Sequence, residues 1–288
     1  MSWKGLLLAG GTGSRLEPLT KAVNKHLLPI YDKPMIYYPL TTLMLGGIKD
    51  VVVVSSPEAL PQLEKCLGDG ATWGMRFEYV EQPEPRGIAD AFIVAEEQLA
   101  GHSVALILGD NIFHGSGLRL LVQEAMRDHS GAQIFGYGVT DPSAFGVVEL
   151  DEEGKPISLE EKPTNSQSNF AVPGLYFYDE KVCEIAKALT PSDRGELEIT
   201  DVNGAYMSNG ELSVTEMARG IAWLDGGTPE SMFDAAQYVH VMQARTGIRI
   251  AVPEELAFRL GFIDDAQFAS LTAHGPKTSY ERYLAGLV

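Results

Sequence analysis

The sequence predicts an α/β protein: a Rossmann-like, mixed but mostly parallel central sheet flanked by helices, with antiparallel additions and a helical C-terminal part. Three observations lead there. Short apolar runs at 6–8, 51–54 and 104–108 read as strands buried on both faces, as in a parallel sheet covered by helices. Segments with apolar residues at helical spacing lie between them, and this alternation implies right-handed crossovers. From residue 132 onward the pattern turns to short strands separated by turn residues, which favours antiparallel pairing.

The first strand runs directly into Gly10-Gly11-Thr12-Gly13-Ser14-Arg15-Leu16. Glycines leave backbone amides uncovered, so several can point together at phosphate oxygens. Arg15 adds a permanent planar cation. The spacing fits neither common phosphate motif. A P-loop would need lysine where Leu16 stands, and a dinucleotide loop would need a third glycine at the same position. With Arg15 and Lys25 flanking it, the loop is a candidate anion site rather than a plain turn.

A helix is expected over 34–45, with Pro34 in its first turn and Gly46-Gly47 as its stop. The β-branched run 51–54 is a strand, 58–67 a helix, 77–80 a strand and 88–99 a helix. Strand 104–108 ends at Gly109-Asp110. Ligands of such sheets sit outside the carboxyl ends of the strands, where the Gly10 loop, Gln82 and Asp110 all fall. Strands are expected at 132–139, 146–150, 157–160 and 175–178, a helix at 182–189, and strands at 212–217 and 221–224. Thr228-Pro229-Glu230 supplies a cap, a first-turn proline and an acid near the positive helix end. The expected organisation is one domain over 1–288, an α/β core over about 1–227 and a mainly helical part over about 228–288.

The chain has 288 residues, 45% of them hydrophobic, enough for a large core. Its formal charge of −17, from 22 basic and 39 acidic residues, excludes binding of nucleic acid or anionic membrane by bulk attraction. An anionic substrate must therefore meet a few local cations. No run of eighteen apolar residues is present, so no membrane span is expected. The first strand leaves no room for a signal peptide, and the cytoplasm is the expected compartment. Cys66 and Cys183 are expected to be buried thiols, and the six histidines form no metal motif. Ser14 has no evident base partner, so no covalent nucleophile is assigned.

Strand-end aspartates are usually turn formers or helix caps. Asp110 and Asp225, both ending apolar strands, could however meet at one site and hold Mg²⁺, which prefers one or two carboxylates with phosphate oxygens and waters.

The Gly10–Leu16 loop, Lys25-His26-Leu27-Leu28-Pro29 and Tyr31-Asp32-Lys33-Pro34-Met35-Ile36-Tyr37-Tyr38-Pro39-Leu40 resemble the glucose-1-phosphate thymidylyltransferase family of sugar nucleotidyltransferases. The resemblance continues through Leu108-Gly109-Asp110-Asn111-Ile112-Phe113, Leu159-Glu160-Glu161-Lys162-Pro163, Gly195-Glu196-Leu197-Glu198-Ile199-Thr200-Asp201 and Trp223-Leu224-Asp225. It covers nearly the whole chain. It implies the nucleotide-diphospho-sugar transferase fold, and an Mg²⁺-dependent reaction of dTTP with glucose 1-phosphate, giving dTDP-glucose and pyrophosphate. It also implies a homotetramer.

By the resemblance, Gly10, Gly11, Thr12, Gly13, Ser14, Arg15, Lys25 and Asp110 serve the nucleotide. Gln82 and Gly87 read its base. Asn111, Gly146, Glu161, Lys162, Val172 and Tyr176 hold the sugar phosphate. Asp110 and Asp225 are the metal ligands, and Arg15, Lys25, Asp110, Lys162 and Asp225 carry the catalysis. A glutamine amide offers the donor and acceptor that complement the N–H and C=O edge shared by thymine and uracil. A regulatory nucleotide site is implied near Gly115, Arg219, Glu255 and Arg259.

The chain departs from the family pattern at five places. His26 stands where glutamine is usual, Arg86 replaces an aspartate, Asp90 a glutamine, and Gly226 and Pro229 a threonine and a histidine. None removes an assigned phosphate or metal group, but several border the base or metal site. The competing readings are a related transferase using UTP or another hexose 1-phosphate, a dehydrogenase with an unusual loop, and a non-catalytic sugar-nucleotide sensor.

Overall fold

The computed structural model describes all residues except Met1, Asp128, His129, His274, Pro276 and Val288, so the two ends of the expected 1–288 span lie outside the described residues. Strand β1 (Trp3–Leu8) lies between two parallel neighbours and is buried from Lys4 to Leu8. Beyond the glycine loop, two residue pairs, β2 (Pro29–Ile30) and β3 (Lys33–Pro34), form a small ladder.

Helix α1 (Tyr37–Leu45) follows, starting three residues later than Pro34 suggests. Pro34 is paired in β3, and the amides of Met35 and Ile36 are drawn off to the carbonyls of Leu28 and His26, at 3.0 and 2.8 Å. The helix does stop at Gly46 and Gly47, where Gly47 takes φ +83°.

Next come β4 (Asp50–Ser55), α2 (Leu60–Leu67) and β5 (Arg76–Glu81). The helix expected over 88–99 breaks at Ala95 into α3 (Asp90–Val94) and α4 (Glu96–Leu99). Strand β6 (Ser103–Leu108) returns the chain to the sheet. Then come two elements that periodicity left unassigned, β7 (Asn111–Gly115) and α5 (Leu118–Ala125).

The second half supplies β8 (Ala132–Gly138), β9 (Gly146–Leu150), β10 (Pro156–Glu161), β11 (Phe170–Ala171) and β12 (Leu175–Tyr178). Helices α6 (Val182–Ala188) and α7 (Ile199–Ser208) precede β13 (Leu212–Glu216) and β14 (Ile221–Asp225). Four helices close the chain: α8 (Pro229–Thr246), α9 (Pro253–Arg259), α10 (Asp265–Thr272) and α11 (Ser279–Ala285). The Thr228 hydroxyl and Ser231 cap α8 reciprocally, with Pro229 in the first turn, as the sequence predicts.

The main sheet runs β10-β9-β11-β8-β12-β6-β1-β4-β5, with β13 also paired to β8. Its β6-β1-β4-β5 half is parallel, and β12, β11, β9 and β10 join antiparallel. Strand β13 is the exception to the antiparallel expectation. Strand β12 runs against β8, and α6 and α7 return the chain to the end β12 left, so β13 lies parallel to β8.

Alternate residues of the central strands feed two cores. Leu7, Val51, Val53, Ala105 and Ile107 face α1 and the C-terminal helices, which contribute Ala257, Phe268 and Leu284. Leu6, Leu8, Val52, Val54 and Leu106 face Phe92, Val182 and Val202. A third cluster of Ile30, Met35, Tyr38, Ile112, Ala235 and Val239 seats α8 against the β2–β3 corner. Cys183 is buried and its thiol is pushed up to about 11 by burial, whereas Cys66 is only half-buried. No helix among the described residues is long and apolar enough to cross a membrane.

Candidate active site

A cavity of about 460 Å³ opens at the carboxyl ends of β1 and β6. Gly10, Gly11, Arg15, Lys25 and Asp110 line it from the side of the glycine loop. Gln82 and Gly87 line it beyond β5, and Asn111, Gly146, Glu161, Lys162, Val172, Tyr176 and Asp225 line the rest. Three loop residues stand apart. Thr12 lines an adjoining cleft of about 440 Å³ that also touches Gly11, Lys25 and Gln82. Gly13 and Ser14 line neither. Gly13 instead makes the turn: at φ +64° its carbonyl accepts the Thr20 hydroxyl at 2.9 Å, and a Cβ there would meet Thr20 Cγ2 at 2.9 Å.

Lys25 Nζ donates to Asp110 Oδ2 at 2.6 Å, with both side chains largely buried. Asn111 Nδ2 donates to Asp110 Oδ1 at 2.9 Å. Burial by itself raises a carboxyl pKa, but Lys25 and these hydrogen bonds outweigh it and hold Asp110 well below the usual carboxylate range. Asn111 is fixed in turn, since its Oδ1 accepts from Trp223 Nε1 at 2.7 Å and Gly174 N at 3.0 Å.

Strand β14 pairs with β7 in the register Asp225 to Asn111, and Gly226 N donates to the Asp110 carbonyl at 2.9 Å. The two aspartates thus stand at neighbouring strand ends on one cavity. Asp225 Oδ2 accepts from Gly227 N at 3.0 Å, and no described hydrogen bond reaches its Oδ1. A Cβ on Gly227 would lie 2.9 Å from Asp225 Oδ2 and 3.2 Å from Arg15 Nη2, so a side chain there would crowd both charged groups. Two carboxylates on one cavity are the donor type that Mg²⁺ takes alongside phosphate oxygens, with Lys25 and Asn111 holding the two Asp110 oxygens here. The described residues contain no cluster of three or more His, Cys, Asp or Glu that could hold a metal.

On the opposite wall, Glu161 accepts the Thr200 hydroxyl at 2.5 Å and lies 3.4 Å from Lys162 Nζ. Lys162 sits at φ +46°, a conformation rare for a residue with a side chain and concentrated at functional sites. Val172 and Tyr176 are buried parts of the second core that also line the cavity. Phe145, Trp223, Thr200, Thr228 and Ser231 line it as well. Their residue types gave no chemical signal in the sequence; Thr200 and Trp223 stood inside matched motifs without being assigned a role.

At the wall beyond β5, Gln82 is buried, and its Nε2 donates to the Gly87 carbonyl at 3.1 Å and to Asp90 Oδ2 at 2.9 Å. Arg86 Nη2 donates to Asp90 Oδ1 at 2.7 Å. Gly87 has φ +109°, and a Cβ on it would meet the Leu197 carbonyl at 2.4 Å, so only glycine fits.

The remaining departures also have structural roles. Asn24 Oδ1 accepts both the His26 backbone N–H at 2.9 Å and the ring Nδ1, at 2.8 Å, which fixes the tautomer. Burial first, then the Lys25 charge, lowers the His26 pKa to about 3, so the ring is neutral. A Cβ on Gly226 would meet Met35 Cε at 2.5 Å, so a threonine there would require the end of the Met35 side chain to shift.

None of the four residues implied in regulation lines either cavity. Gly115 faces Ile221 across the β7–β14 ladder, close to exposed Arg219. Glu255 and Arg259 pair at 2.6 Å on α9, and Tyr283 donates to Glu255 at 2.7 Å.

The family profile described as nucleotidyl transferase matches residues 4–241. A glucose-1-phosphate thymidylyltransferase from Mycolicibacterium smegmatis is 49% identical over 285 residues, covering 99% of both chains. The crystal structure of a Bacillus anthracis protein in complex with a sucrose superposes with a TM-score of 0.77 at 41% identity, over 82% of this chain and 95% of that one. A UDP-glucose pyrophosphorylase complexed with UDP-glucose superposes with a TM-score of 0.74 at 25% identity, over 84% and 100%. The sheet, the strand-end cavity and this likeness along nearly the full sequence agree: the chain belongs to the nucleotidyl transferase family.

Proposed function

We propose that this protein transfers a thymidylyl group from dTTP to glucose 1-phosphate, releasing pyrophosphate and forming dTDP-glucose. The observation that carries the reading is the convergence of Arg15, Lys25 and Lys162 with Asp110 and Asp225 on one cavity, in a chain of formal charge −17. Such a chain gathers anions only where local cations meet them.

In this reading the loop amides and Lys25 hold the triphosphate, Lys162 holds the sugar phosphate, and Glu161 accepts from sugar hydroxyls. Gln82 and Gly87 meet the base. An oxygen of the sugar 1-phosphate attacks the α-phosphorus in line. The new P–O bond forms as the bond to the bridging oxygen breaks, and pyrophosphate leaves with that oxygen and its electron pair. Positioning and charge stabilisation dominate such transfers, so no covalent enzyme intermediate is required. Arg15 neutralises charge growing on the leaving phosphates. Asp110 and Asp225 would hold Mg²⁺, whose charge offsets that of the phosphate oxygens.

The protein is read as a single domain and a cytoplasmic homotetramer, with feedback at the Gly115–Arg219 and Glu255–Arg259 positions. The test is pyrophosphate release. It must require nucleotide, sugar 1-phosphate and Mg²⁺ together, and full-rate release without the sugar phosphate would make the protein a hydrolase.

A further inference from the structure

Gln82 lines the cavity with one hydrogen-bonding edge already committed. Both groups on its Nε2, the Gly87 carbonyl and the Asp90 carboxylate, can only accept. Turning the amide over would set Oε1 against both oxygens and lose two hydrogen bonds. Gln82 Oε1 therefore points the other way, over the start of the glycine loop, where a Cβ on Gly10 would lie 3.1 Å from it. No described hydrogen bond reaches Oε1, and none reaches the Gly87 N–H, while both residues line the cavity.

Asp90 is 1% exposed at the start of α3, and both its oxygens are taken: Oδ1 by Arg86, Oδ2 by Gln82. Arg86 also ties the loop down, its carbonyl accepting Leu197 N at 2.7 Å. We infer that Asp90 is a positioning residue that locks the Gln82 amide with its carbonyl toward the nucleotide base, with Arg86 as the counter-charge that holds Asp90 in place. The inference rests on the proposed role of Gln82 in meeting the base.

The locked edge offers one acceptor, Gln82 Oε1, beside one donor, Gly87 N–H. That pair fits the N–H and C=O of thymine or uracil. It opposes cytosine, whose ring nitrogen carries a lone pair and whose amino group would face the Gly87 donor. The Arg86–Asp90 pair thus adds a second, charged acceptor to the Gly87 carbonyl in fixing which edge Gln82 presents.

The experiment compares kcat/KM for dTTP and CTP on the wild type, Gln82→Ala, Asp90→Asn and the double variant Arg86→Ala/Asp90→Asn. In Asp90→Asn the single oxygen is claimed by the Arg86 guanidinium, so the new amide N–H turns to Gln82 and draws Oε1 inward. The dTTP to CTP ratio should fall about tenfold, roughly the factor one unpaired polar group carries. The absolute kcat/KM for CTP should rise, which loss of folded enzyme does not produce. Removing Arg86 as well frees the Asn oxygen to face Gln82, and the ratio should recover. Asp90→Ala provides a second variant that must also narrow the ratio. If Gln82→Ala narrows the ratio while neither Asp90 variant does, the positioning role is refuted and the base reading stands. An unchanged ratio in Gln82→Ala overturns the base reading itself, and the inference with it.

Discussion

Replacing Lys25 by methionine keeps the unbranched stem of the side chain, one atom shorter, but removes the charge opposite Asp110. The two side chains are 14% and 16% exposed and their charged atoms are 2.6 Å apart. Removing one member of a buried pair typically costs about 3–5 kcal/mol, because the other charge stays desolvated and unpaired. The pair retains some solvent access, and Asn111 Nδ2 still donates to Asp110, so a loss of about 3 kcal/mol is expected. That is a large part of the roughly 5–15 kcal/mol by which domains are stable.

Asp110→Asn on the same background removes the orphaned charge and should recover about 2 kcal/mol, since neutralising both partners avoids most of the desolvation cost. Urea denaturation of the wild type, the two single variants and the double variant measures the coupling, and pyrophosphate release should be lost in all three variants. The sign of the pH dependence follows. The folded pKa of Asp110 lies below its unfolded value of 3.8, so the wild-type contribution is present above pH 3.8 and lost as pH falls below it. In Lys25→Met the Asp110 pKa rises, so the penalty relative to wild type should shrink in acid. A Lys25→Met protein within about 1 kcal/mol of wild type, the range of an exposed ion pair, would refute the buried-pair argument.

Gly87→Ala should lower the melting temperature and abolish activity, because its Cβ would sit 2.4 Å from the Leu197 carbonyl at φ +109°. A variant that melts and turns over like wild type would show that this loop is free to move. His26 is held neutral with a folded pKa of about 3, below its ordinary 6.5. The unfolded chain therefore takes up a proton that the folded one refuses, and stability falls by about 1.4 kcal/mol per pH unit from pH 6.5 toward 3. His26→Gln should flatten that slope in denaturation measured between pH 7 and 4.5, and an unchanged slope would assign the acid sensitivity elsewhere. Arg15→Ala should depress turnover by on the order of 3 kcal/mol while leaving sugar-phosphate affinity nearly unchanged. A change confined to that affinity would move Arg15 out of its triphosphate role.

The sequence by itself determined the elements whose local chemistry and burial agree. The runs at 51–54 and 104–108 read as interior strands and are, because short β-branched and aliphatic runs without polar alternation suit a sheet covered on both faces. Gly46-Gly47 stopped α1 and Thr228-Pro229 started α8, since caps depend on residues near in sequence. The motif residues of the resemblance, scattered from Gly10 to Asp225, also identified most of the cavity wall before any geometry.

Tertiary structure decided what depends on partners distant in sequence. Pro34 looked like a helix start, yet a ladder with Pro29 claimed it. Strand β13 pairs parallel because of where two helices deliver it, which no local pattern encodes. Gly13 and Ser14 matched a binding motif but line neither cavity, and it is the contact with Thr20, seven residues on, that holds the Gly13 turn. Arg86 and Asp90 read in sequence as two separate departures. Only folding shows them as one ion pair acting on Gln82, because a hydrogen bond is made between side chains that the backbone brings within about 3 Å, whatever their separation along the chain.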